Sequence, residues 1–120
     1  MTAPVFSFDD VSHSRDGDAL SCRCVVAADM PCFNGHFPDM PIMPAAAQIE
    51  MIQSLLQQHM NWNAVIAGGS ALKFSGRIQP GATLAIRLQR TPSGTLDFSV
   101  AHNDTVVSKG SLQLACGSRD

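Results

Sequence analysis

From Leu20 to Ala27 the chain alternates, with apolar Leu20, Cys22, Cys24 and Val26 separated by Ser21 and Arg23 early in the run. A period of two marks a strand with one face buried. Arg15-Asp16-Gly17-Asp18 reads as a turn, so an earlier strand is expected over Val5–Val11. After Pro44 the period changes. Ala45, Ile49, Ile52 and Leu56 recur at helical spacing, and Met51 and Leu55 widen the stripe. Pro44 suits a first helical turn, where its missing N–H is not needed, and Asn61-Trp62-Asn63 breaks the pattern after His59.

Beyond the helix the alternation returns. Leu72, Phe74 and Ile78 share one side, with Lys73 and Arg77 on the other, up to a turn at Pro80-Gly81. Leu84, Ile86 and Leu88 alternate with Arg87 and Gln89, and Pro92-Ser93-Gly94 turns again. Leu96, Phe98 and Val100 form the next apolar row, Asn103-Asp104 a tight hairpin, and Thr105–Leu114 the last strand. One long helix and five or six antiparallel strands make an α+β architecture, in which the apolar face of the sheet covers the helix.

With 120 residues, 45% hydrophobic and 15% charged, the chain suits one folded domain over 1–120. No apolar run approaches the roughly 20 residues of a membrane span. The N-terminus shows no basic region followed by an apolar one, so a cytoplasmic protein is expected. Cys22, Cys24, Cys32 and Cys116 include no CxxC pair, and His13, His36, His59 and His102 lack ligand spacing. The thiols therefore read as small core residues rather than metal ligands. Charge is uneven: residues 1–60 carry −5 and residues 61–120 carry +3. Lys73, Arg77, Arg87 and Arg90 lie close in sequence, and such a patch suits an acidic protein or a phosphate group as readily as plain solvent exposure. A pI near 6.0 without a basic, aromatic-interleaved run argues against nucleic acid.

The segment with most chemistry is Phe33-Asn34-Gly35-His36-Phe37-Pro38-Asp39-Met40-Pro41-Ile42-Met43-Pro44. Gly35 permits a close backbone approach, and Pro38 and Pro41 push their predecessors towards extended conformations. A stiff loop of this kind holds His36 in place, and an imidazole titrates near working pH, as a general base requires. No Ser, Thr, Asp or Asn directly precedes Pro44, which leaves the N–H groups of Ala45 and Ala46 at a positive helix end where a carbonyl oxygen has room to approach. Glu50 lies about 9 Å along the axis from Pro44, beside Ala46, Ala47, Gln53 and Ser54. Partial burial there would raise its pKa and suit it to donate a proton.

Asn34-Gly35-His36-Phe37-Pro38, then Pro41-Ile42-Met43-Pro44 and Glu50, resembles the signature of the FabZ-type (3R)-3-hydroxyacyl-[acyl-carrier-protein] dehydratases. Ala67-Gly68, Lys73-Phe74 and Pro80-Gly81 resemble that family's next block. The resemblance implies a hot-dog fold, a long central helix wrapped by a curved antiparallel sheet, in a homodimer or an assembly of dimers. It also implies loss of water from a 3-hydroxyacyl chain on acyl carrier protein, giving the trans-2-enoyl thioester without metal or organic cofactor. On that likeness His36 takes the C2 proton, and Glu50 of the other subunit serves the departing hydroxyl. The Ala45 N–H polarises the thioester carbonyl, with Gly35, Phe37, Pro44 and Ala46 lining the substrate site. The cationic stretch from Lys73 to Arg90 would suit the acidic carrier. Three departures stand out: Ala45 replaces a usual Gly, Arg77 a usual Pro, and the chain has no Tyr to gate the acyl tunnel. They suit a divergent member in a specialised acyl or polyene pathway. The alternatives are a hot-dog thioesterase and a non-catalytic acyl-binding subunit.

Overall fold

The computed structural model describes residues 6–27, 43, 45–59 and 64–116. Its elements are β1 (Phe8–His13), β2 (Ala19–Val25), α1 (Ala45–His59), β3 (Ala64–Phe74), β4 (Thr83–Arg90), β5 (Thr95–His102) and β6 (Thr105–Cys116). The six strands form one antiparallel sheet in the order β1-β2-β4-β5-β6-β3. This is the helix-on-sheet architecture that the periodicity predicts, with six strands rather than five.

Alternation selects the inner face. Leu20, Cys22 and Cys24 of β2 are buried, and so are Leu84, Ile86 and Leu88 of β4 and Leu96, Phe98 and Val100 of β5. They pack in one cluster with Met51, Ile52, Leu55 and Leu56 of α1. A Leu or Ile side chain fully removed from water contributes about 1.5–3 kcal/mol, so this cluster dominates the folding energy. Register follows from the turns. Asn103 and Asp104 both take positive φ (52° and 65°) in the two-residue β5–β6 hairpin, as its twist requires. Gly94, at φ 90°, closes the β4–β5 turn, where its N–H donates to the Thr91 carbonyl at 3.0 Å.

Three expectations shift. The buried stripe of α1 is Ala47, Gln48, Met51, Ile52, Leu55 and Leu56, whereas Ala45 is exposed and Ile49 half-buried. The stripe centres on the Met51–Leu55 line, so Ala45 falls off its edge. The strand expected from Leu72 to Ile78 starts at Ala64 and ends at Phe74. Register shifts between Ile66 and Gly68 and between Ser70 and Lys73 interrupt its alternation, and Ala71 sits at φ 53°. Leu72 is 42% exposed, and Ile78 is buried outside any strand. The expected first strand begins at Phe8; Val5 lies outside the described residues.

The helix is tied down at both ends. Near its C-terminus Gln58 Nε2 donates to the Phe6 carbonyl at 3.1 Å, and His13 Nε2 donates to the His59 carbonyl at 2.8 Å. At its start Met43 N–H donates to the Ile78 carbonyl at 2.7 Å. Among the described residues no helix is long and apolar enough to cross a membrane.

Candidate functional site

The entry to α1 is held by Met43. Its N–H is bonded to Ile78, and its carbonyl accepts Gln48 Nε2 at 3.3 Å. Met43 and Gln48 are both buried. The last described residue before the helix is thus fixed through both of its backbone polar groups. In the sequence His36 lies seven positions before Met43. His36, Gly35, Phe37 and Pro44 lie outside the described residues.

Ala45 and Ala46 open the helix and are exposed, and its first turn contains no acidic side chain. The positive end of the dipole is therefore not neutralised from within the helix. Glu50, five residues on from Ala45, stands about 7.5 Å further along the axis. It is exposed, which corrects the expectation of partial burial. Its neighbour one turn on, Gln53, accepts the Ile66 N–H of β3 through Oε1 at 2.7 Å. Residues three apart lie on the same side of a helix, so Glu50 stands on the flank of α1 that faces β3. That strand ends the sheet.

Three of the seven anticipated site residues, Ala45, Ala46 and Glu50, are described, and all three are exposed on α1. Ala46 and Glu50, four apart, share a face, whereas Ala45 stands at the helix start, roughly 140° round the axis from Glu50. The arrangement can receive a carbonyl oxygen at the helix start and exchange a proton at a carboxyl group little more than one turn away. Gln48 was not anticipated. Its Oε1 is buried without a hydrogen-bond partner among the described residues, a costly state that a polar residue within an apolar stripe could have signalled. The cationic patch is also redrawn: Lys73 lies on β3 and Arg87 on β4, with two strands between them. Cys22 and Cys24 are core thiols, as the sequence predicts. Burial pushes Cys22 up to about 12, with lesser contributions from Cys24 and Asp9, and pushes Cys24 up to about 11, with help from Asp9. No group of three or more His, Cys, Asp or Glu among the described residues is placed to hold a metal ion.

A six-stranded antiparallel sheet packed against one long helix is the hot-dog fold. The same fold occurs in the dehydratase heterocomplex ApeI:P from Xenorhabdus doucetiae, with a TM-score of 0.77, 21% identity, and coverage of 96% of this chain and 99% of that one. An uncharacterised protein from Erwinia carotovora subsp. atroseptica gives 0.71 at 24% identity, covering 96% and 98%. Within that fold the particular family is defined by sequence: the family model "ApeI-like: ApeI dehydratase" matches residues 12–111, and the chain belongs to this family. Curated relatives carry the name 3-hydroxyacyl-[acyl-carrier-protein] dehydratase FabZ. The protein from Natranaerobius thermophilus is 28% identical over 93% of this chain and 87% of its own length. That from Levilactobacillus brevis is 25% identical over 98% and 86%.

Proposed function

We propose that this chain dehydrates a (3R)-3-hydroxyacyl thioester carried on acyl carrier protein, giving the trans-2-enoyl thioester. The placement of Glu50 supports the reading most directly. It is an exposed carboxyl group little more than one turn from a helix start with no acid of its own, on the flank facing an open sheet edge. The FabZ relatives, matched over nearly the whole chain, supply the substrate class.

In this mechanism His36 removes the proton from C2 of the acyl chain. The electrons of that C–H bond form the C2–C3 double bond as the C3 hydroxyl leaves with a proton from Glu50, so water is the only by-product. Negative charge that builds on the thioester oxygen is met by the Ala45 N–H at the helix start. Gly35, Phe37, Pro44 and Ala46 border the acyl chain. The reaction is proton transfer and elimination throughout, which side chains alone can perform.

The pair of subunits belongs to the same proposal. β3 is an edge strand of 11 residues, with Val65 43% exposed and Leu72 42% exposed. Long edges of this kind invite another strand. In this proposal a second copy paired there supplies the His36 that works with Glu50 of the first. The Xenorhabdus protein is named as a heterocomplex, so a related but different chain is the competing occupant. Light scattering on the pure protein separates the two, since a homodimer needs no second component.

The test is to supply purified protein with 3-hydroxyacyl and 2-enoyl thioesters, following water addition or loss separately from thiol release. Interconversion without thiol release is expected. It should vanish in His36→Ala and fall about 10²–10⁴-fold in Glu50→Gln, the range for loss of an acid–base group. Thiol release that depends on Glu50 would make the protein a thioesterase. Tight acyl binding without turnover would make it a non-catalytic subunit.

A further inference from the structure

Within the buried stripe of α1, Gln48 is a poor choice for packing. It is 3% exposed, and its Oε1 has no hydrogen-bond partner among the described residues. A buried polar atom left unpaired destabilises a fold, whereas a methionine of similar size fills such a space without that cost. The other half of the amide is engaged. Gln48 Nε2 donates to the Met43 carbonyl at 3.3 Å, and the Met43 N–H donates to the Ile78 carbonyl at 2.7 Å. Met43 and Ile78 are both buried, so little water competes for either bond. The segment after Ile78 is itself anchored to the sheet: Val26 N–H donates to the Ala82 carbonyl at 2.8 Å, and Gly81 N–H to the Val26 carbonyl at 2.6 Å. Gln48 thus joins the start of α1 to a fixed turn at the head of β4.

We infer that Gln48 is a positioning residue: its amide fixes the Met43 carbonyl and thereby aims the Ala45 N–H at the substrate's thioester oxygen; that oxygen rests on the function proposed above. Covalent geometry carries the effect from one group to the other. The peptide unit that begins at the Met43 carbonyl is planar. Pro44 follows in the sequence, and a proline ring locks φ at about −65°. Between the clamped carbonyl and the Ala45 N–H a single soft torsion is left, the ψ of residue 44. Ala45 is exposed and opens α1, where first-turn N–H groups have no partner inside the helix and the dipole is positive. An N–H that meets developing negative charge helps most when it is aimed in advance. Ala45 carries only a methyl group, so the backbone before it must set that aim. Gln48 touches no substrate in this role and acts through Met43.

The experiment compares wild-type protein with Gln48→Met and Gln48→Glu in hydration of a 2-enoyl thioester, each variant first shown to be folded by its denaturant midpoint. Gln48→Met is expected to lower kcat about tenfold with KM nearly unchanged, less than the roughly 10²–10³-fold cost of losing a whole oxyanion donor. Gln58→Met removes the comparable bond to the Phe6 carbonyl at the other end of α1 and should leave kcat near wild type. In Gln48→Glu the new side chain donates to Met43 only while its carboxyl group is protonated, and burial raises a carboxyl pKa. Its kcat relative to wild type should therefore be near one at about pH 5 and fall as pH rises to about 8, a slope that lost packing in the folded protein does not produce. Backbone N–H order parameters at Ala45 and Ala46 should drop in Gln48→Met from about 0.85 towards about 0.6, while those of Leu55 and Leu56 hold. Unchanged kcat in Gln48→Met, an equal loss in Gln58→Met, or unchanged order at Ala45 overturns the inference. Should Gln48→Glu not fold, the Gln48→Met comparisons decide by themselves. Should wild-type protein fail to hydrate the thioester, the proposed reaction fails, and the order parameters alone decide whether Gln48 fixes the helix start.

Discussion

The two flanks of α1 obey opposite rules. Towards β2, β4 and β5, Met51, Ile52, Leu55 and Leu56 have no exposed surface and pack among strand side chains that alternate without interruption. Towards β3, Glu50 is exposed, Leu72 and Val65 keep more than 40% of their surface, and the strand is broken by two register shifts. The first flank is finished within one chain. The second carries an exposed carboxyl group and, among the described strands, the edge of the sheet. If the proposed reaction holds, stability and chemistry fall on different sides of the same helix.

The sharpest way to break that division is to substitute one residue on each side. Glu50→Gln should lower dehydratase turnover about 10²–10⁴-fold while shifting unfolding free energy by less than about 0.5 kcal/mol, as exposed surface changes do. A comparable loss of stability in chemical denaturation would show that Glu50 is structural. Leu55→Ala should do the reverse, costing about 2–5 kcal/mol for a cavity in the core, with activity at low temperature retained by the folded fraction.

Smaller changes sharpen the boundary. Gly110 faces Phe98, and a Cβ there would lie 2.6 Å from Leu72 Cδ2 and 3.1 Å from both Leu72 Cα and Phe98 Cε1. Gly110→Ala should cost about 1–3 kcal/mol through overpacking, read as a lower denaturant midpoint. Gln48→Met should change stability by less than about 1 kcal/mol, because the lost bond to Met43 is offset by removing a buried acceptor that has no partner. A clearly larger cost would show that the Met43 clamp matters to the fold. The mildest effect concerns pH. The Cys22 thiol titrates higher in the fold than its ordinary 9.0, so the folded state holds its proton longer than the unfolded chain. That contribution is complete below about pH 9 and drains away as pH rises towards about 12. Cys22→Ala should flatten this alkaline decline in thermal melts.

Much of the architecture is legible in the chain itself. Where apolar side chains are large and strictly alternating, as in Leu84-Ile86-Leu88 and Leu96-Phe98-Val100, the strands fall where the alternation puts them. The helix bounds at Ala45 and His59 also match. The first half of β3 escapes such reading because Ala67, Gly68, Gly69 and Ser70 carry little hydropathy, and each register shift reverses the inward–outward phase of the residues after it. The site is legible only as a motif, and the structure adds that Ala45, Ala46 and Glu50 are exposed, with Ala46 and Glu50 on one face of α1. The burial expected of Glu50 is not readable, since it depends on the surroundings beyond β3.

Local periods, turns and the residue types available for acid–base work can be read along the chain, because they depend on neighbours a few positions apart. Long-range pairing puts β3 on the far side of β6, at the end of the described sheet, and sets Lys73 against Lys109. Those juxtapositions join residues dozens of positions apart. Burial of the whole core selects them, and no short stretch of chain contains that information.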